Sequence, residues 1–350
     1  MSLILSNLEQ QKLFADKTTS CAMVGMLIDM RHCASTLVLA GLLFMSLEAS
    51  AATRQEIDSP TLSKIQQSNV VAIGYREGSP PFSYLDDRQR PIGYSIDICM
   101  HVVDAIKTRL QLNRIDVRMV PATPASRIAL VRNGTIDLEC GVSTNTAERQ
   151  KQVSFTVTTF VTSGKLLWKK SSGFSTAMDL RGRTVVSTVG TTNIQQLASF
   201  NARNGLDIRI LAASDDSRAF RLVQSSRAAA YAMDEVLLRS TVADAPDGND
   251  YVISEDTLSI EPYAVMLRKD DPGFKQLADD AIKTLYRSGE IHKIYRRWFE
   301  SPIPPRGVIL NMPMSTQLER AIRAPIDSGE PADYLTSTPP KAEGPQGSMR

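Results

Sequence analysis

Two different spacings of apolar residues alternate along residues 69–234. Short apolar runs such as "NVVAIGYR", "IDVRMVPA" and "TIDLEC" predict buried strands. Between them, apolar residues three and four positions apart, as at Ile98, Val102 and Ile106, predict helices, and Gly134 ends the second of these. Strands that alternate with helices are typical of an α/β fold with mostly parallel sheets.

The pattern occurs twice. The second half repeats strand and helix from "RTVVSTVGTT", through a helix over Asn193–Asn204, to the strand "AAAYAMDE", whose last apolar pair precedes Asp234. In each half, polar residues follow the carboxyl ends of strands, which is where open α/β sheets bind ligands. The sequence therefore predicts two α/β lobes, each a sheet flanked by helices, with a ligand cleft between them.

The remaining elements concern packing. Ser95 is predicted to cap the helix that carries Ile98. In "GEIHKIYRRWFES", Ile291, Ile294, Tyr295 and Trp298 form a single helical face, which predicts core packing rather than ligand contact. From Asp327 onward the chain is rich in Pro, Ser, Gly and charge, and this composition predicts disorder.

Composition narrows the possible functions. The chain has 350 residues, 42% of them hydrophobic, so its length favours two domains. Its formal net charge is only +2 and it has no long basic run, which argues against nucleic acid as a partner.

The N-terminal region has the layout of a secretory signal peptide. Arg31 precedes the apolar run Leu37–Leu47, and Ala49-Ser50-Ala51 offers a small-residue cleavage site. We interpret residues 30–52 as the signal peptide and residues 1–29 as an upstream extension from a misassigned start. A membrane anchor is the alternative. Cleavage would release the mature protein into the periplasm.

No residue set points to a catalytic or metal centre. Of the four cysteines, Cys99 and Cys140 lie in the mature chain, where they either pair or are buried as small apolar residues. There is no C-x-x-C, no H-E-x-x-H, no G-x-S-x-G and no P-loop. We therefore predict neither metal nor cofactor; the absence of these motifs is only a weak argument against an enzyme.

The stretch "GVSTNTAERQ", residues 141–150, has two interpretations. Its hydroxyls, free backbone N–H groups and Arg149 fork suit a carboxylate. Alternatively, Asn145 or Thr146 caps a helix and Arg149 points into solvent. The ten residues alone leave both open.

Several stretches, in order along residues 70–311, resemble the periplasmic solute-binding proteins of ABC transporters for polar amino acids, and most of all their glutamate/aspartate branch. These stretches are "GYREGSPPFSY", "RNGTIDLECG", "TNTAERQKQVSF", "VGTTN", "AMDEVLL", "MLRKDDPGFK" and "RRWFESPIPP". The resemblance implies two lobes joined by crossover strands, hinge closure on an amino acid, delivery to a membrane permease, and a monomer.

The resemblance also implies roles for single residues. Arg149, with Thr144, would bind the ligand α-carboxylate. Thr191 and Thr192 would close over it from the other lobe, and Asp234 would bind the α-ammonium. Arg76 and Arg127 would face the side-chain carboxylate.

Three positions depart from the glutamate/aspartate pattern. Val142 and Pro124 stand where that branch has serines, and Asp216 stands where it has a histidine. Asp216 either contacts the ligand or caps the following helix. Counting Arg76, Arg127 and Arg149 against Asp216 and Asp234 gives a cleft of +1, which favours an acidic amino acid.

The resemblance also divides the chain. Residues 53–163 and 261–310 would form lobe I, residues 164–260 lobe II, and residues 311–350 a mostly disordered extension. Two other functions remain open: an enzyme on the same fold, such as a cyclohexadienyl or arogenate dehydratase with Asp216 or Asp234 as the acid, and the sensor module of a signalling system.

Overall fold

A computed structural model describes residues 59–335. The predicted signal peptide, the segment before it and residues 336–350 lie outside the described residues. No helix of residues 59–335 has the length and apolar character needed to cross a membrane.

Helices and strands alternate through the described chain. The helices are α1 Pro60–Ser68, α2 Tyr94–Arg109, α3 Arg127–Arg132, α4 Ala147–Gln150, α5 Thr192–Asn204, α6 Asp216–Gln224, α7 Glu235–Asp244, α8 Pro272–Ser288, α9 Glu290–Phe299 and α10 Thr316–Arg323. The strands are β1 Val70–Tyr75, β2 Gly78–Ser79, β3 Ser83–Leu85, β4 Pro91–Ile92, β5 Asp116–Pro121, β6 Leu138–Glu139, β7 Ser154–Phe155, β8 Phe160–Lys169, β9 Thr184–Thr188, β10 Arg209–Ala213, β11 Ala230–Asp234, β12 Tyr251–Ile253, β13 Ser259–Tyr263 and β14 Met266–Leu267. The predicted α/β class is confirmed.

The strands form two large sheets, one in each lobe. The lobe I sheet has the order β5-β1-β6-β14-β7, with β1 parallel to β5 and β6 and with β14 antiparallel. The lobe II sheet has the order β10-β9-β11-β8-β12, and β9 is parallel to β10 and β11. A small antiparallel sheet, β2-β3-β4, lies beside lobe I.

Two antiparallel strands carry the chain between the lobes. Strand β8 leaves lobe I and β13 returns to it, and they pair from Phe160↔Tyr263 to Gly164↔Ser259. The expected lobe boundaries after residues 163 and 260 fall inside these two crossover strands. Phe160 stacks on Phe299 with ring centroids 5.0 Å apart, so the base of the crossover is anchored in the lobe I core.

The structure decides two predictions about packing, one on the cysteines and one on the apolar face of α9. Cys99 and Cys140 form a disulfide that ties α2 to the residue after β6. The apolar face of α9 is buried, which confirms the core interpretation of "IHKIYRRW".

The predicted Ser95 cap is wrong. Helix α2 begins at Tyr94, and Gly93 occupies the N-cap position without a side-chain hydrogen bond. The backbone N–H groups of Tyr94 and Ser95 donate instead to the carbonyls of Pro81 and Phe82, at 2.8 and 2.9 Å. Because the preceding loop accepts these bonds, the helix end needs no hydroxyl.

The first part of the C-terminal extension is ordered, contrary to its composition. Helix α10 buries Leu318, Ala321 and Ile322, and residues 325–335 include a short 3-10 helix, Pro331–Tyr334. Tertiary contacts that composition does not reveal hold this segment in place.

Candidate functional site

The turn after β6 combines both interpretations of "GVSTNTAERQ". Thr146 is the N-cap of α4, and its hydroxyl accepts from the backbone N–H of Arg149 at 3.1 Å. Arg149 is nevertheless buried, with 8% of the residue exposed, so the solvent alternative is wrong. Its Nη1 donates to the Thr144 carbonyl at 2.8 Å and its Nη2 to the Gly190 carbonyl of lobe II at 3.3 Å. The cap thus orients an arginine that reaches across the cleft.

Arg127 lies beside Arg149 at the start of α3. Its Nη1 donates to the Val142 carbonyl, and its Nε has no hydrogen-bond partner among the described residues. Burial, followed by the positive charge of Arg149, lowers the pKa of Arg127 to about 9. Within residues 59–335, neither arginine has a carboxylate oxygen at ion-pair distance. Glu139 and Asp234 act on both guanidiniums, and Glu261 also on Arg149, but only from beyond ion-pair distance. We call Arg127 and Arg149, two buried arginines without a directly bonded carboxylate, the "open arginine pair".

Arg76 has a different environment. It follows β1, and its Nη2 lies 3.4 Å from Oδ2 of Asp216 in lobe II. Asp216 also accepts from the Ser79 hydroxyl at 3.3 Å and from the Thr188 hydroxyl at 2.7 Å. Asp215, not Asp216, is the N-cap of α6, so the cap alternative for Asp216 is wrong and its carboxylate bridges the lobes.

The lobe II face opposite the open arginine pair carries hydroxyls. The Thr192 hydroxyl lies 3.5 Å from that of Thr144 in lobe I and donates to Glu261 at 2.7 Å. The Thr191 hydroxyl instead donates to the Thr188 carbonyl at 2.7 Å. Strand β9 and helix α5 place both threonines at the turn that also contains Gly190.

Asp234 ends β11 and is buried. It accepts from Asn193 at 3.0 Å and from the Tyr263 hydroxyl at 2.5 Å. Burial and then the negative charge of Glu261 raise the pKa of Asp234 to about 7. Two buried carboxylates this close favour one retained proton or a cation between them.

Two further carboxylates of the site were not predicted from the sequence. Glu139 on β6 and Glu261 on β13 are both 1% exposed. Each interrupts an apolar run, "IDLEC" and "SIEPYAV", and a charge inside a buried strand is the signal that was available. With them the count becomes three arginines against Glu139, Asp216, Asp234 and Glu261, which is −1 when all four carboxylates are ionised and zero when Asp234 keeps a proton, so the earlier +1 is wrong. The placement of the charges, not their sum, must therefore decide what binds.

The nine predicted site residues do not all have the same setting. Six of them make polar contacts between the lobes: Arg76, Thr144, Arg149, Thr192, Asp216 and Asp234. Arg127 and Thr191 hydrogen-bond within their own lobes. Val142 contributes its backbone carbonyl to Arg127, while its side chain belongs to the lobe I core. Among the described residues, no group of three or more His, Cys, Asp and Glu side chains is arranged to hold a metal ion.

A family model matches residues 71–301, that of the bacterial extracellular solute-binding proteins, family 3. The chain belongs to this family. Among similar proteins, the L-glutamate/L-aspartate-binding protein of Pseudomonas aeruginosa is 42% identical over 294 residues, which cover 84% of this chain and 95% of that protein. The glutamate/aspartate import solute-binding protein of Escherichia coli is 39% identical over 288 residues, covering 81% and 95%.

Solved structures agree with the fold. A mutant of ArgBP from T. maritima superposes with a TM-score of 0.61 at 26% identity, covering 69% of this chain and 99% of that one. Tv2483 bound to L-arginine gives 0.62 at 20% identity, covering 73% and 99%, and this likeness concerns the fold alone. The predicted two-lobed binding-protein architecture is confirmed.

Proposed function

We propose that this family 3 protein captures an amino acid, glutamate, aspartate or a related polar one, and delivers it to the membrane permease of an ABC transporter. The open arginine pair carries the proposal. Arg127 and Arg149 are buried, and the hydrogen bonds they donate end on neutral carbonyls. A buried charge without a counter-charge at ion-pair distance is costly, and a ligand carboxylate would lower that cost by accepting from both guanidiniums.

The α-ammonium has a matching place. Asp234 and Glu261 are buried on the lobe II side and on the returning crossover strand, and burial, followed by the negative charge of Glu261, raises the pKa of Asp234. Without ligand, one retained proton reduces the repulsion between the two carboxylates. The α-ammonium of a ligand bound beside them would take over that role with its positive charge. A carboxylate site and an ammonium site in one cleft match the two ends of an α-amino acid.

The side chain of the ligand meets the Arg76 and Asp216 pair. Arg76 favours an acidic group, whereas Asp216 already accepts from it and repels a second carboxylate. The relatives with 39–42% identity bear glutamate/aspartate names, which supports an acidic ligand. We therefore propose an acidic amino acid as the ligand. Because Arg76 is paired with Asp216, it should discriminate less between glutamate and glutamine, or aspartate and asparagine, than an unpaired arginine would.

The remaining parts of the proposal concern the cell. The signal-like segment supports cleavage near Ala52 and a periplasmic mature protein. We propose a monomer that works without a cofactor and is not an enzyme. The named relatives with the highest identities are binding proteins, which does not favour the dehydratase alternative.

A thermal-shift panel of the common amino acids tests the proposal. Glutamate and aspartate should raise the melting temperature most, because a ligand that binds only the folded state stabilises it by mass action. Stabilisation by lysine or arginine with no response to the acidic amino acids would contradict it. Incubation with prephenate or arogenate is the control for enzyme activity, and an aromatic product would favour the dehydratase.

A further inference from the structure

A segment of the C-terminal extension passes beside the turn that carries Arg149. Residues 325–335, here the C-terminal strap, follow α10 and lie beyond residue 301, where the family match ends. Apolar residues in the strap do not recur at the spacing of a helix or a strand, so it has no continuous apolar face to bury. Its position therefore depends on specific contacts with neighbouring residues. Those groups belong to two places: the turn before α4 and the crossover strands.

The first place is Asn145, which is fully buried. Its amide nitrogen donates to the Asp327 carbonyl at 2.8 Å and to the Ser328 carbonyl at 3.3 Å. Its amide oxygen accepts from Gln150 at 2.9 Å, and Gln150 also donates to Asp327 at 3.0 Å. The strap thereby binds both ends of the segment 145–150, which contains Arg149.

The second contact on this turn is steric. A Cβ added at Gly329 would lie 2.6 Å from the backbone nitrogen of Ala147 and 2.7 Å from the carbonyl carbon of Thr146. Thr146 caps α4 by accepting from the backbone N–H of Arg149. Because backbone is in contact with backbone, the gap cannot be widened by a rotamer change. A displaced strap would move the residues that orient the Arg149 side chain.

The strap also holds the crossover. The Thr158 N–H donates to the Ile326 carbonyl at 2.8 Å, and the hydroxyls of Thr158 and Tyr334 lie 2.6 Å apart. Ile326 and Tyr334 pack with Val161 of β8 and Ile260 of β13. One short segment therefore contacts both crossover strands and the turn that holds the arginine.

We propose that the C-terminal strap is a positioning element: it fixes the turn 145–150 relative to the crossover strands so that Arg149 is held ready for a carboxylate. Asn145 and Gly329 are its positioning residues, since neither side chain needs to touch ligand in this role. The ligand part of this inference rests on the proposed function, whereas the effect on the turn does not.

The test compares Gly329→Ala with Glu330→Ala, a neighbour in the strap whose side chain is exposed. The Gly329→Ala protein should bind L-glutamate roughly tenfold more weakly by titration calorimetry, because overpacking against backbone costs on the order of 1.4 kcal/mol. Glu330→Ala should match the wild type. Without ligand, hydrogen exchange at the Arg149 and Gln150 amides should quicken in Gly329→Ala alone, which a general loss of stability would not confine to this turn.

A truncated variant and its rescue by a peptide separate loss of the strap from misfolding. A protein ending at Ala324 should lose affinity for L-glutamate, and a synthetic peptide of residues 325–335 should restore it. Equal exchange at these amides in both alanine variants would overturn the strap proposal, as would a truncated protein that binds like the wild type. If the wild type does not bind L-glutamate but the exchange difference appears, the proposed ligand is wrong and the strap role stands.

Discussion

The two ends of the cleft bury the same type of side chain in opposite electrostatic settings. At one end, Arg127 and Arg149 donate to carbonyls, and no carboxylate of the described residues lies at ion-pair distance from either guanidinium. At the other end, Arg76 faces Asp216 at 3.4 Å, and Asp216 accepts from hydroxyls of both lobes. The first end is left for an external anion, whereas the second is already neutralised within the protein.

This difference separates affinity from selectivity. A buried charge that lacks a partner gains most when a ligand supplies one, so the open arginine pair should dominate the binding free energy. A charge that is already paired gains little and discriminates weakly between a carboxylate and an amide. The resemblance predicts that the glutamate/aspartate branch has a histidine where this chain has Asp216, which would put the departure at the end that should control selectivity.

The largest effect is expected at the open end. Arg149→Ala should weaken glutamate binding by about two to three decades or more, since losing one member of a buried pair costs roughly 3–5 kcal/mol. Titration calorimetry on the folded variant is the measurement. Arg132→Ala, an exposed arginine of the same lobe, is the control. If Arg149→Ala bound glutamate with near-normal affinity, residues 141–150 would serve only to begin helix α4 and would not bind the ligand.

A substitution that hinders closure of the lobes should weaken binding nearly as much. Gly190 is the position to test, because the two lobes lie close together there. A Cβ there would lie 2.7 Å from the Pro124 backbone of lobe I. Gly190→Ala should cost about 1–3 kcal/mol, roughly tenfold to a hundredfold in affinity. Gly182→Ala is the matched control, since Gly182 also has a positive φ, 69° against 79°, but nothing lies near its added Cβ. Equal effects would assign the loss to backbone strain.

The ammonium end predicts a pH dependence. Asp234 has a pKa of about 7 without ligand, so below that pH it carries a proton that an ammonium must displace. Affinity should therefore fall about tenfold per pH unit below 7 and level off above it. Calorimetry in buffers of different ionisation enthalpy should detect proton release near pH 6. An affinity that is flat from pH 5 to 8 would place the ammonium elsewhere.

The same raised pKa affects stability in the absence of ligand. Because the folded pKa of Asp234 lies above its unfolded value of 3.8, the folded state binds the proton more tightly. This contribution is fully present below pH 4 and is lost as pH rises through about 7. Asp234→Asn should remove that slope from the free energy of unfolding, which denaturant titrations at several pH values would measure.

The smallest effect is expected at the neutralised end. Asp216→His should free Arg76 and shift preference toward glutamate over glutamine by a few-fold, about 1 kcal/mol. The ratio of the two dissociation constants, compared between wild type and variant, is the measurement. A ratio that stays the same would mean that the ligand side chain does not reach Arg76.

Much of the site was predictable because its residues follow predicted strands. Arg76 and Arg149 follow β1 and β6 of the lobe I sheet, and Asp234 ends β11 of the lobe II sheet. Ligands of α/β sheets bind at such carboxyl ends of strands. Glu139 and Glu261 were missed since their charges sit inside apolar runs, where the pattern predicts only buried strand. Asp216 was left between two roles because a helix cap and a lobe bridge have the same local sequence.

By itself, the sequence determined the alternation of strands and helices, the repeat of that pattern in two lobes, and the apolar face of α9. These depend on periods of two and 3.6 residues that neighbouring side chains set locally. Tertiary structure alone decided which charges meet across the cleft, that Cys99 joins Cys140, and that residues 325–335 are ordered. The partners in each case lie tens to hundreds of residues apart, and burial, which controls their charge and order, exists only after both lobes have folded.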